Sequence, residues 1–234
     1  LQDQLLACFA SDEKLKPADI LVLTPDLEAA APLIDAVFGT APEARRIPYQ
    51  ITGRAQTRIN PVADALDRLL ELCNSRFAAS NVFDLLQQAP VAARFGLSED
   101  DLERIHGWMN ESGIRWGLDA AQRQALGLPA EEKHTLADGL DRLFLAYALG
   151  DGEAARATVI AGHLGAGHPA GSAAQALGAF WQFVRQLEWA QREWSRPHKA
   201  EAWQSLLHEL LERFISPGKE WLDDLNSVRA AIAE

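Results

Sequence analysis

Few residues in this 234-residue chain have the type and spacing that chemistry needs, and each such group lacks a necessary partner. Gly162-His-Leu-Gly-Ala-Gly167-His168-Pro169 is the nearest approach to a phosphate-cradling loop. His168 and Pro169 stand where the Lys and Ser/Thr that hold phosphate and magnesium would be, so it reads as a plain loop. His208-Glu209 is followed by Glu212 where a zinc-binding helix would place its second His. Asp223-Asp224 and Glu99-Asp100-Asp101 are adjacent acids at helix starts, and they complement the helix dipole more simply than they build a metal site. With no nucleophile and base pair either, the chain alone is expected to hydrolyse no ATP, cut no nucleic acid and hold no cofactor or metal.

Binding chemistry is better represented. A net charge of −11 and a pI near 5.0 exclude a protein that coats nucleic acid, because phosphate contacts need clustered Lys and Arg. The local exception lies between Ala44 and Ala63, where Arg45, Arg46, Arg54 and Arg58 occur with no acid among them. These arginines could contact a DNA backbone or a partner's acidic surface, or form a solvated loop paired with nearby acids. The second candidate is Arg115-Trp116, bracketed by Gly113 and Gly117 between two helices. A tight turn there would fix an aromatic ring and a guanidinium in defined directions. A structural use is expected, with Trp116 plugging the bundle and Arg115 bonding helix-end carbonyls; ligand contact is the alternative. Among the seven tryptophans, Trp181, Trp189 and Trp194 share a helical pattern with Leu177, Phe180, Val184 and Leu187. Base stacking is one use of such rings, but the spacing favours core burial, and Trp203 and Trp221 read the same way.

The elements that must position these residues are mostly helices. Ile20-Leu-Val-Leu23 is a short apolar run bounded by Asp19 and Pro25, as in a strand covered on both faces. Leu27, Ala30, Ala31, Ile34, Val37 and Phe38 then recur at helical spacing up to Gly39, and Ile47–Ile51 reads as a second strand, giving a βαβ unit with parallel strands. From Asn60 onward only helices are expected. Asn60-Pro61 caps one through about Cys73, Asn81 one over Val82–Gln87, and Ser98 one that runs through Leu102, Ile105 and Met109. Thr135 starts another that buries Leu140, Leu143, Phe144 and Tyr147. Long helices near 173–195 and 199–215 follow, and Ser216-Pro217 opens the last. Gly150–Gly171, rich in Gly and Ala, reads as a flexible connection. The fold class is therefore mainly α with a small α/β part, divided into an α/β segment over 1–52 and a helical domain over 53–234.

The 48% hydrophobic content is ample for a core. No apolar run reaches the roughly 18 residues of a membrane span, so a soluble protein without membrane contact is expected. Cys8 and Cys73, too few for a disulfide framework, read as small buried hydrophobes in a reducing cytosol. Leu1 is not an initiator Met and the chain stops at Glu234 inside a helical pattern, so it reads as an excerpt from a longer polypeptide.

A strand, a helix, a second strand and an abrupt turn into helix at Asn60-Pro61 resemble the way superfamily 1 DNA helicases leave their second RecA-like domain (2A) and enter the helical 2B insertion. Phe83-Asp-Leu-Leu86, Pro90-Val-Ala-Ala-Arg-Phe-Gly-Leu97, Trp108 through Asp119, and His134-Thr135 leading to Leu143-Phe-Leu-Ala-Tyr-Ala148 are similar to the RecC family, the gamma subunits of bacterial exodeoxyribonuclease V. The similarity runs from about Leu15 to Tyr147, continues more weakly to the end, and is least over Gly150–Gly171. Gly113–Asp119 is shared in looser form with RecB and AddB. The resemblance implies a helicase fold without its ATPase, a subunit that splits duplex DNA, guides the strands to RecB-like and RecD-like motors that use ATP and magnesium, and scans the 3′-ended strand for Chi. Active relatives commonly carry Tyr-Arg and a further Arg where this chain has Thr24-Pro25 and Ala29-Ala30, which fits a decayed motor. Two alternatives are the matching piece of an active RecB-like subunit and a helical interaction module without DNA contact.

Overall fold

Residues Leu1–Arg58 and Ile59–Glu234 form separate units in the computed structural model, which describes residues 1–12, 14–42, 45–52, 60–150, 152, 157–169 and 171–233. In the first unit, α1 (Gln2–Ser11) buries none of its residues. Helix α2 (Leu27–Ile34) starts where Asp26 Oδ1 accepts from Ala29 N at 3.0 Å, and it widens into a π turn over Asp35–Gly39. The predicted helix up to Gly39 is thus present. The two predicted strands are not, because Ile20–Leu23 and Ile47–Ile51 join no β ladder among the described residues. A strand needs a neighbour for its backbone N–H and C=O groups, and this segment has found none; Leu21 and Leu23 stay 79% and 83% exposed. The small core here consists of Ala31, Phe38 and Ile47, with Phe38 against the Tyr49 ring at 5.5 Å. Cys8, expected inside, is exposed. An apolar groove of about 980 Å³ remains between α1, α2 and the extended segments.

The second unit opens as its sequence requires. Asn60 Oδ1 accepts from Val62 N and Ala63 N (2.9 and 3.0 Å), Pro61 fills the first helical position, and α3 (Pro61–Cys73) buries Val62, Ala65, Leu66, Leu69, Leu72 and Cys73 on one stripe. Helix α4 (Ala79–Leu86) starts two residues before the expected cap at Asn81. Ala79 N donates to Arg115 O at 2.8 Å, so backbone from a distant turn satisfies the helix start and no side-chain cap is needed. After α5 (Ala89–Arg94) comes α6 (Glu99–Glu111), with the predicted capping box between Ser98 and Asp101. Helix α7 (Ala120–Ala125) is capped by Asp119, and α8 (Leu136–Leu149) by Thr135. Leu140 and Leu143 are buried as expected, whereas Phe144 and Tyr147 lie on the outer face of α8, 37% and 46% exposed.

Strands β1 (Val159–Ile160) and β2 (His163–Leu164) form a short antiparallel hairpin, with Val159 opposite Leu164, where only helix or loop was expected. It is docked on α8: Arg142 Nε donates to Leu164 O (3.0 Å), Ala166 N to Arg142 O (3.1 Å), and His163 Nδ1 lies 3.1 Å from Asp138 Oδ1. The remainder of the connection predicted to be flexible lies partly outside the described residues. Helices α9 (Ala174–Trp194), α10 (Ala200–Phe214) and α11 (Leu222–Ala233) complete the unit, the last preceded by a 3₁₀ turn at Lys219–Trp221. Phe183 and Phe214, fully buried, meet the half-buried Phe95 edge to face, and burial of each of the first two contributes about 1.5–3 kcal/mol. Trp189, Trp194, Trp203 and Trp221 pack half-buried against this core, but Trp181 is 44% exposed, contrary to its expected burial.

Candidate functional site

Of the four arginines singled out at the start of the chain, Arg54 and Arg58 lie outside the described residues. Arg45 and Arg46 are both exposed in the first unit. Arg45 forms an ion pair with the exposed Asp3 of α1, and its carbonyl accepts from Gln2 Nε2 at 3.3 Å. Nearby, Tyr49 Oη donates to Asp35 Oδ1 at 2.8 Å, and this hydrogen bond raises the Tyr49 pKa above its ordinary value.

The turn around Arg115 and Trp116 is the better-defined arrangement. Gly113 (φ +77°) and Gly117 (φ +87°) take the left-handed conformations that such a turn demands. The segment between them ties three parts of the chain together by backbone alone. Ala78 bridges Trp116, Gly117 N donates to Arg76 O and Phe77 O (both 3.0 Å), Arg115 N donates to His134 O (2.9 Å), and Leu136 N donates to Gly117 O (2.9 Å). Ile114 and Leu118, flanking the two candidates, supply the core contacts.

The expected roles of Arg115 and Trp116 are redistributed. Arg115 is exposed, and among the described residues its side chain donates to the neighbouring Ile114 O at 3.1 Å. Arg123, 4% exposed, is the guanidinium that bonds carbonyls: Nη1 reaches Glu131 O (2.6 Å) and Lys133 O (2.9 Å), and Nη2 reaches Trp116 O (2.9 Å). It also lies over the Trp116 ring, 3.9 Å from the centroid, so Trp116 is half-buried beneath a cation rather than plugging the bundle. Its Nε and Gln122 Oε1 are buried without a hydrogen-bond partner. Arg123 follows the Asp119 cap by one turn, but nothing in the sequence marks it above its neighbours, because the carbonyls it serves come from a separate loop.

The close approach of α8 to this turn is made at Gly139, where a Cβ would overlap Ile114 Cγ1 and Cδ1. Asp138, also buried, accepts from His134 N at 2.9 Å through Oδ2 and faces His163 through Oδ1. Arg142 Nη1 closes the other side on Ser112 O at 2.5 Å. On α9, burial holds the Glu188 carboxyl above the usual range, against the opposing pull of Arg185 (2.6 Å) and Arg192 (3.2 Å). Among the described residues no three His, Cys, Asp or Glu side chains converge as metal ligands. No described helix is long and apolar enough to cross a membrane.

In the helical unit, Arg123, Arg142 and Asp138 tie loops to helix ends. The model of the RecBCD enzyme subunit RecC fourth domain matches residues 59–234, essentially the whole second unit, and the chain belongs to the RecC family. It is 36% identical over 220 residues to the RecBCD enzyme subunit RecC of Escherichia coli (strain K12), covering 94% of this chain and 19% of that protein. Against the RecC subunit of Mycobacterium tuberculosis (strain H37Rv) it is 38% identical over 157 residues, 64% of this chain and 14% of the relative. With that of Haemophilus influenzae it shares 28% identity over 235 residues, 100% of this chain and 20% of the relative. The chain thus spans about a fifth, or less, of the length of these relatives.

Proposed function

We propose that this chain is a non-catalytic, helicase-fold region of an exodeoxyribonuclease V gamma subunit, acting in bacterial double-strand-break repair and recombination. In this reading it scaffolds RecB-like and RecD-like motor subunits in the cytoplasm and helps guide a duplex end and its separated strands. ATP and magnesium belong to the motors. The observation that carries the reading is the fourth-domain match over the entire helical unit, which also favours a RecC-like over a RecB-like origin. Residues 1–52 fit the start of a 2A-like domain: the apolar run Ile20–Leu23 stays extended and uncovered, as a strand awaiting its sheet would be.

Two measurements test this. The 234-residue chain, purified with magnesium present, should hydrolyse no ATP and degrade no DNA above a buffer control; activity that co-purifies with it through a further step refutes the non-catalytic reading. In the full-length subunit, Ala at Arg45, Arg46, Arg54 and Arg58 together should weaken DNA-end engagement or assembly with the motors. A loss of DNA binding that shrinks as salt rises identifies phosphate contact, whereas a lower melting temperature at every salt identifies a structural role. Unchanged end binding, assembly and unwinding would leave these arginines as a solvated loop.

A further inference from the structure

A second gathering of guanidinium groups lies on the helical unit, where α5, α9 and α10 meet. Arg94, at the end of α5, donates Nε to Glu212 O at 3.1 Å. Arg213, in the last turn of α10, lies over the Trp189 ring at 3.9 Å, donates Nη1 to Gln186 Oε1 (2.8 Å), and donates Nε and Nη2 to Glu209 Oε1 (3.0 and 2.6 Å). With Phe95 and with Gln182 and Gln186, one turn apart on α9, they line a cavity of about 180 Å³. Phe95 is held in the aromatic cluster with Phe183 and Phe214, so the cavity wall is set by the core.

The hydrogen-bond capacity of this cavity is lopsided. Among the described residues, Arg94 Nη1 and Nη2, Gln182 Nε2 and Gln186 Nε2 make no protein hydrogen bond, so four donor nitrogens outnumber the unpaired Gln182 Oε1 acceptor. Arg94 is oriented by its bond to Glu212 O, Arg213 by its stack on Trp189 and its pairing with Glu209, and Gln186 by its bond from Arg213, whereas the exposed Gln182 turns freely toward a ligand. Helix C-termini favour cations through the helix dipole, which accounts for each arginine singly. It does not account for their convergence with two glutamine amides from a third helix.

We propose that this cavity is an oxyanion site for a phosphate group, either free phosphate or a phosphodiester of a nucleic-acid strand. A tetrahedral phosphate accepts hydrogen bonds from several directions, as donors on α5, α9 and α10 supply them, whereas a planar carboxylate is satisfied by one guanidinium fork. The Glu209 carboxylate is already engaged by Arg213. The chain's overall negative charge is screened beyond about 8–10 Å at physiological ionic strength, so a local site can act despite it. The family assignment plays no part in this inference, and either can fail without the other.

The test uses the full chain, titrated with inorganic phosphate, with a dodecameric oligo-dT and with acetate, binding being followed by calorimetry. Saturable phosphate binding should weaken about tenfold in Arg94→Gln, a loss of roughly 1.4 kcal/mol, with the melting temperature unchanged. The exposed Gln182→Glu, which places an anion in the cavity, should abolish binding and serves if Arg94→Gln fails to fold. Phosphate binding without oligonucleotide binding assigns free phosphate. Binding of both, with the oligonucleotide salt slope falling by about 0.7 in Arg94→Gln, assigns a strand backbone. No saturable phosphate or oligonucleotide binding, equal binding of acetate, or binding unchanged by both substitutions overturns the proposal.

Discussion

Gly139→Ala sets two effects of opposite sign against each other. In a helix interior the change gains about 1 kcal/mol of propensity, and at an open position on α8 it would stabilise the unit. Here the new methyl overlaps Ile114 Cγ1 and Cδ1 and comes within 3.2 Å of Ser112 Oγ. Ile114 is 1% exposed, and its backbone is held by Ile114 N to Met109 O (3.0 Å) and by Arg115 N to His134 O (2.9 Å), so it has little room to retreat. Overpacking of this kind costs about 1–3 kcal/mol and here exceeds the propensity gain, because the overlap involves two carbons of a buried, β-branched side chain. The expected net loss is about 1–2 kcal/mol, a fall of roughly 3–6 °C in melting temperature for a unit of this size. Ile114→Ala should cost about 2–5 kcal/mol by itself. In that background Gly139→Ala should become neutral or stabilising, since the obstructing carbons are gone. Urea unfolding of the two single variants and the double variant measures the coupling directly. Stabilisation by Gly139→Ala in the wild-type background, or the same effect in both backgrounds, would refute the close approach of α8 to the 113–117 turn.

Three further outcomes are expected. Arg123→Met should destabilise by about 3 kcal/mol, because three charge-assisted bonds from a buried guanidinium to loop carbonyls and its stack on Trp116 are lost; Arg115→Met, removing an exposed side chain, should change stability by less than about 0.5 kcal/mol in the same denaturation assay. Thr135→Ala should cost about 1 kcal/mol through loss of the α8 cap, read as a shifted urea midpoint at constant m-value. Burial pushes the Cys73 thiol up to about 12, so in native protein at pH 8 alkylation should modify Cys8 and spare Cys73 until urea unfolds the chain, as mass spectrometry would show. The folded-state pKa is raised above the ordinary value near 8.5, so this contribution is intact below about pH 8.5 and is lost as pH rises toward 12. A Cys73→Ala variant should lack that component of the alkaline fall in stability.

Much of the helical unit was legible because its signals are short-range. Asn60, Ser98 and Thr135 each satisfy N–H groups within three residues, and the stripes on α3 and α9 repeat within a turn, so neighbours in sequence are neighbours in space. Where a helix start is satisfied from elsewhere, that reading fails: α4 begins at Ala79 because Arg115 O lies beside it, a fact no residue near Asn81 reports. Apolar runs have the same limit. Ile20–Leu23 has the composition of a buried strand, but composition supplies no neighbouring backbone, and the exposure of Leu21 and Leu23 follows. In the opposite direction, the short hairpin at 159–164 has little local signal, and α8 holds it through Arg142 and Asp138.

The site residues divide along the same line. The sequence by itself determined that the chain is mainly helical, that Gly113 and Gly117 bracket a tight turn, and which family its motifs resemble. Tertiary structure decided which guanidinium the turn uses. Arg115 and Arg123 are equivalent by composition, but only Arg123 meets carbonyls from Trp116, Glu131 and Lys133, which lie together because the loop folds back over α7. Arg94 and Arg213 are likewise unremarkable in sequence, 119 positions apart. They share a cavity because α5 packs directly against α10, with Phe95 meeting Phe214, an arrangement set by the summed burial of many side chains rather than by any residue near either arginine.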